Sequence, residues 1–234
     1  MTKPFSILIP VYNEAEIITE NTEVLLDYLS QDYERFEIIL GSNGSVDGTI
    51  MKGNDLENRF SQVRFFHIHR KGVGRAFKRG VRMAKYDRII SLDMDLSIDM
   101  GFIHRALELM DSGYDVVVGS KKMGHQRRTM FRRLGSSLFI FCARRLLDIS
   151  FEDYSIAAKC YRRSLLLQYV DRIDHGTSYV IEILYMASRN GMKLIEIPVR
   201  CEDLRASKFN IIHEGVYRFT NLFRFWYGQK CNPR

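Results

Sequence analysis

Arg88-Ile-Ile-Ser-Leu-Asp-Met-Asp-Leu-Ser97 decides how the rest of the chain is read. Ile89, Ile90 and Leu92 form a short, β-branched apolar run, as expected of a buried parallel strand, and the run stops at two carboxylates, Asp93 and Asp95. In an open parallel sheet, ligands gather at the carboxyl ends of the strands. Side chains two positions apart on an extended chain point the same way, so the two acids can share one hard cation. Magnesium in phosphate chemistry is usually held by one or two carboxylates, with water and phosphate oxygens completing its shell. The stretch therefore predicts a metal-dependent site for a nucleotide diphosphate. Asp-x-Asp also ends strands at ordinary turns, and the flanking sequence must decide between the two.

Upstream, Phe5–Val11, Phe36–Leu40 and Val63–Ile68 have the same strand character, and helical patterns separate them. Tyr12-Asn-Glu14 follows the first strand. Asn13 is placed as a helix cap with Glu16 at the third position, and Ile17, Leu25, Tyr28 and Leu29 give that helix a core face. Gly41 to Thr49 is a loop of glycine and short polar residues able to bring backbone N–H groups to a ligand, with Asp47 capping the next helix. Lys71-Gly-Val-Gly-Arg-Ala76 is either a phosphate loop or a solvated turn. A helix from about Arg75 to Ala84 leads into the central strand. Three strand–helix repeats before Asp93 predict a doubly wound α/β layer.

Downstream, a helix over Gly101–Met110 returns the chain to a buried strand, Asp115–Ser120. Lys121 to Arg145 then carries eight Lys and Arg residues and no acid. Phe131, Leu134, Leu138 and Phe141 recur there at helical spacing, which suits an anionic membrane interface or a core helix with arginine ends. Phe151–Arg163 reads as a loop and short strand bringing Asp153 toward the sheet. Tyr179–Ser188 is a helix with Glu182 on an apolar surface, either a paired buried acid or a site residue. Lys193–Val199 is a late strand, and Pro198 puts it at an edge or end. Ile212, Val216, Phe219, Phe223 and Trp226 mark a C-terminal amphipathic helix.

The 234 residues, 46% hydrophobic and 27% charged, suffice for a substantial core, and no linker divides them, so a single domain over 1–234 is expected. The net charge of +7 favours polyanionic partners without choosing among nucleic acid, membrane and phosphorylated substrates. Cys142, Cys160, Cys201 and Cys231 form no C-x-x-C pair, which fits a reducing, cytoplasmic setting. Phe5–Val11 is too short for a signal-peptide core, and Leu138–Ala143 is closed by Arg144 and Arg145, so no transmembrane segment is expected.

Taken in order, Ile9-Pro-Val-Tyr-Asn-Glu14, Asn43-Gly-Ser-Val-Asp-Gly-Thr49, Lys71-Gly-Val-Gly74, Leu92-Asp-Met-Asp-Leu96, Val118-Gly-Ser-Lys121, Asp153 through Tyr161-Arg-Arg163, Ile195-Glu-Ile-Pro-Val199 and Ser207-Lys-Phe209 form a collinear set. The set resembles the family 2 glycosyltransferases, and within them the polyprenyl-phosphate branch typified by dolichol-phosphate mannosyltransferase. The resemblance covers Phe5 to about Trp226. It implies an α/β GT-A fold, a mostly parallel central sheet flanked by helices, and inverting transfer of a hexose, mannose or glucose, from a nucleotide-diphosphate sugar to a polyprenyl phosphate. By the same resemblance, Pro10, Tyr12, Glu14, Asn43, Asp93, Met94, Asp95 and Lys208 line the nucleotide, with Met94 against ribose or phosphate. Asp93 and Asp95 hold Mg2+ or Mn2+, and Lys121, Arg132, Arg133 and Ser136 receive the acceptor phosphate. Asp95, Lys121 and Arg132 are the expected catalytic residues. Three departures stand out: Ser42 and Asn43 replace an acidic pair, Ser97 replaces a glutamine, and Ala157 replaces a glycine.

A lipid phosphate is already an anion at neutral pH, so it needs positioning by cations and no strong general base. That suits the acid-free segment. A glycan or protein hydroxyl would call for a base such as Asp153 or Glu182. A non-catalytic nucleotide- or nucleic-acid-binding protein matches the charge, but no basic–aromatic array supports it, and no nucleic-acid partner is expected. The chain is expected to work peripherally at the cytoplasmic membrane face, directly or through a membrane-protein partner.

Overall fold

The computed structural model describes residues 3–121, 130–154, 156–201 and 211–231, and leaves out the side chains of 130–134, 211 and 212. Its frame is one seven-stranded sheet in the order β3-β2-β1-β4-β6-β5-β7. The strands are β1 (Phe5–Val11), β2 (Phe36–Asn43), β3 (Val63–Ile68), β4 (Arg88–Ser91), β5 (Val116–Ser120), β6 (Lys159–Arg162) and β7 (Leu194–Pro198). β1 to β4 pair in parallel, β6 runs against both β4 and β5, and β7 is parallel to β5 at the edge where Pro198 was expected to sit.

The helices are α1 (Ile18–Asp32), α2 (Thr49–Arg59), α3 (Val73–Met83), α4 (Gly101–Asp111), α5 (Met130–Leu147), α6 (Arg163–Tyr169), α7 (Tyr179–Arg189) and α8 (Ile211–Cys231). They cover both faces because the strands are apolar on both. On β1, Phe5, Ile7 and Ile9 face a core shared with α1, α2 and α4, while Leu8 faces a second core shared with α3 and α7. Each such side chain, fully withdrawn from water, contributes about 1.5–3 kcal/mol before the cost of ordering the chain.

Asn13 does not cap α1, which begins four residues after the expected start. Asn13 adopts a left-handed φ of 53°, and its side chain is taken by the N–H of Val46 (2.9 Å), so it ties the β1 loop to the β2 loop. The α1 core face is Ile18, Leu25, Leu26 and Leu29, one step round from the expected stripe. α6 was not anticipated: seven residues are too few to show a helical period.

Candidate active site

The chain winds outward from β1 to β2 and β3, then returns to place β4 on the other side of β1. That reversal opens a crevice above the carboxyl ends of β1 and β4. Asp93 and Asp95 lie just beyond β4. The side chain of Asp93 is open, that of Met94 is buried in the core at 3% exposure, and that of Asp95 is half-buried. Met94 thus turns away from the crevice by the alternation that brings the two acids together, and only its backbone can meet the ribose or phosphate expected of it. The turn is held by Asn21 Nδ2 donating to Met94 O (2.8 Å) and Ser97 N donating to Asp95 Oδ1 (3.1 Å).

Although open to the crevice, Asp93 is ringed by protein. Desolvation, followed by the charge of Asp95, pushes its carboxyl up to about 6, against the pull of Lys121, the Ala157 N–H and Lys159. Two crowded carboxylates are what a divalent cation would relieve. Among the described residues no further His, Cys, Asp or Glu completes a three-residue cluster with them. An all-oxygen pair with positions left for phosphate fits Mg2+ or Mn2+.

On the donor side, the loops after β1 and β2 are laced together. Asn13 N donates to Ser45 Oγ (3.1 Å), Glu14 N to Thr49 Oγ1 (2.8 Å) and Ala15 N to Asp47 Oδ2 (3.1 Å). Asp47 also accepts the Thr49 N–H (3.0 Å), so it performs the capping expected of it from one residue before the N-cap, Gly48. Partial burial acts to raise its pKa, but the hydrogen bonds from Thr49 and Ala15 hold the carboxyl below the ordinary value. Pro10 and Tyr12 stand at the end of β1, and Lys71 Nζ lies 3.8 Å from the centre of the Tyr12 ring. Asn43 is buried: its Nδ2 donates to Val11 O (2.8 Å) and its Oδ1 accepts from Gly72 N (3.0 Å). A carboxylate there could not donate to Val11 O, which accounts for an amide in place of the acid.

The Gly-Val-Gly segment is not a phosphate loop. Gly74 N donates to Gly176 O (3.1 Å) and Arg75 N to His175 O (3.2 Å), so the first N–H groups of α3 are occupied by backbone from the loop before α7. A Cβ on Gly74 would lie 2.3 Å from Asp174 O.

On the other side of the acids, Lys121 is 6% and Lys159 1% exposed, and both act electrostatically on Asp93. Burial lowers Lys159 to about 8, while Asp153 and Asp93 oppose the shift; its Nζ donates to Ile156 O. Asp153 Oδ1 accepts from Ile156 N (3.3 Å), and the Glu152 and Asp153 N–H groups donate to Glu196 of β7. Lys159 and Glu196 were missed in the sequence. Lys159 sits between Ala158 and Cys160 with no polar neighbour, and only Asp153 six residues earlier hints at a buried charge pair. Ser136 is half-buried on α5; the side chains of Arg132 and Arg133, and Lys208 altogether, lie outside the described residues. Glu182 is buried, accepts the Asp174 N–H (2.5 Å), and is pushed up to about 7 by burial, with Lys78 opposing.

A reversal crevice of this kind on a mostly parallel sheet, with paired acids after the strand beside it, defines the GT-A fold of nucleotide-sugar transferases. Residues 6–170 match the family "Glycosyl transferase family 2", and the chain belongs to it. It is 26% identical over 236 residues, 98% of its length, to the glycosyltransferase AglD of Haloferax volcanii. It is 30% identical over 227 residues, 95% of its length, to the undecaprenyl-phosphate 4-deoxy-4-formamido-L-arabinose transferase of an Enterobacter species. The chain spans 38% and 65% of those two relatives. Among solved structures, glucosyl-3-phosphoglycerate synthase of Mycobacterium tuberculosis, with Mn2+, UDP and glucosyl-3-phosphoglycerate, superposes with a TM-score of 0.70. The identity is 17%, over 97% of this chain and 80% of that one, and it supports the shared fold.

Proposed function

We propose that the chain transfers a sugar, with inversion, from a nucleotide-diphosphate donor to a polyprenyl phosphate. The observation that carries the reading is the pairing of Asp93 with Asp95 at the crevice while both nearby alternative bases are committed elsewhere. Glu182 holds the Asp174 N–H, and Asp153 accepts from Ile156 N and faces Lys159. A hydroxyl acceptor would need one of them free to take a proton, whereas a phosphate needs only positioning. Lys121, with Arg132, Arg133 and Ser136 on α5, is assigned to the acceptor phosphate. Pro10, Tyr12, Glu14 and Lys208 are assigned to the nucleotide. Asn43 contributes indirectly, by holding Gly72 against the end of β1.

Asp93 and Asp95 would hold Mg2+ or Mn2+, which when bound supplies Lewis-acid neutralisation of the leaving diphosphate. The acceptor's phosphate oxygen forms the new bond to the anomeric carbon as the bond to the donor diphosphate breaks. The cationic side chains hold the two anions close despite their repulsion. Mannose or glucose is the sugar expected from the motifs, and the relatives' names add an arabinose derivative. The decisive test incubates the protein with GDP- and UDP-sugars, Mg2+ or Mn2+, and either polyprenyl phosphate or free glycans, with products identified by mass spectrometry. Transfer to glycans alone would overturn the acceptor assignment, and undiminished transfer in excess EDTA would overturn the metal site.

The acceptor also calls for a membrane. No helix among the described residues is long and apolar enough to cross one. Leu138 and Phe141 of α5, and Val216, Phe223 and Tyr227 of α8, are exposed, and the α5 sequence has four arginines and no acid. Phe139 instead turns inward between Tyr154 and Phe219, joining α5 to α8. The exposed residues suit peripheral docking at an anionic interface. Flotation with anionic vesicles is expected to fall for Phe141→Asp with Phe223→Asp; unchanged partitioning would remove this role.

A further inference from the structure

We propose that Tyr217 and Asp174 are positioning residues for the donor nucleotide, acting through a strap of backbone, residues 174–178, laid across the Gly72–Gly74 turn. The inference rests on the donor reading above and adds side chains outside the crevice to it. The strap touches the turn without intervening side chains. A Cβ on Gly72 would come within 2.6 Å of His175 O, and one on Gly74 within 2.8 Å of Gly176 O. Two hydrogen bonds, Gly74 N to Gly176 O and Arg75 N to His175 O, fix the contact.

The strap is held from behind. Tyr217 OH donates to the Asp174 carboxylate, 2.8 Å from each oxygen, and Asp174 Oδ2 accepts from Gly176 N (2.8 Å) and Ser178 N (3.2 Å). Burial, then Asp174, raises the Tyr217 phenol to about 12, so it remains a donor at neutral pH. Thr177 is tied to Glu214 of the same helix, and Arg218 Nε also bonds Glu214 (2.9 Å).

In front of the strap, the turn continues to the donor side. Gly72 N reaches Asn43 Oδ1, Asn43 Nδ2 reaches Val11 O, and Lys71, the residue before Gly72, lies over Tyr12. A continuous series of hydrogen bonds and close backbone contacts thus runs from α8 to the end of β1. It does not include Asp93, Asp95 or Lys121. Loosening it should displace the groups that locate the nucleotide while leaving those that act on the diphosphate in place.

The test compares Tyr217→Phe, Asp174→Ala and Asp174→Asn with the wild type. It uses calorimetric titration with UDP and GDP in the presence of Mn2+, steady-state kinetics, and thermal melting. Tyr217→Phe and Asp174→Ala are expected to weaken nucleotide affinity and raise the donor KM about tenfold, the size of losing one charge-assisted hydrogen bond, with kcat and acceptor KM unchanged. Asp174→Asn keeps an acceptor for the strap N–H groups and can still bond the phenol, so it is expected to recover most of the affinity. A lower melting temperature without the KM and kcat split, or nucleotide affinity equal in all variants, would overturn the proposal while leaving the donor site standing. Failure of the wild type to bind either nucleotide would overturn both.

Discussion

The two halves of the sheet solve different problems. From β3 to β4 every strand is parallel and every loop at the carboxyl end is short and laced by backbone-to-side-chain hydrogen bonds. From β6 to β7 the direction alternates, and the interior carries Lys121, Asp153, Lys159 and Glu196 in mutual electrostatic contact. The first half is a rigid seat, suited to a nucleotide whose shape is fixed. The second is a charged chamber, where the same residues can balance an anion that arrives and one that leaves. Such an interior is costly to bury unless paired, so it marks where chemistry takes precedence over stability.

The largest expected effect tests the boundary between the halves. Asp95→Asn should lower the turnover of sugar transfer about 10²–10³-fold while the melting temperature holds, since the change removes charge from the site and leaves the fold alone. A proportionate loss of stability would mean that Asp95 belongs to the seat. Next, Gly74→Ala drives a methyl group into Asp174 O and is expected to cost about 1–3 kcal/mol in urea unfolding. A loss below about 0.5 kcal/mol would show that the strap yields, making the two halves less tightly joined than their geometry implies.

Glu182 supplies a pH test of the same junction. Its folded pKa of about 7 lies above the ordinary 4.5, so the folded state favours the protonated form. That stabilisation is fully present below about pH 4.5 and is lost as pH rises through about 7. Glu182→Gln should flatten the slope of stability across this window, and an unaltered slope would place the titration elsewhere. The smallest effect belongs to Gly135→Ala on α5, where a Cβ meets nothing within 4 Å. Stability should rise by up to about 1 kcal/mol, and a fall would reveal a neighbour at that position.

The same division governs how much of the molecule could be read in advance. Phe5–Val11 and Val63–Ile68 coincide with strands β1 and β3 because parallel burial writes itself as an unbroken β-branched run. Asp93 and Asp95 were legible for a related reason, since two acids ending such a run break its pattern. Lys159 and the strap were not. Their meaning arises from contacts between segments distant in the chain, Lys159 with Asp153 and Asp93, and Gly74 with Gly176, which local periodicity does not encode. Asn13 misled because a residue suited to capping is equally suited to a left-handed turn that crosslinks two loops.

Strand β6 has one more implication. A sheet with all its strands aligned offers a ligand only the segments that follow each strand. Threading one strand backwards also lets the segment that precedes it, 148–158, enter on the same side, and Ala157 arrives there to meet Asp93. Because that segment is joined to the frame at its ends, it can be rewritten to admit a different recipient while the donor's cradle stays as it is.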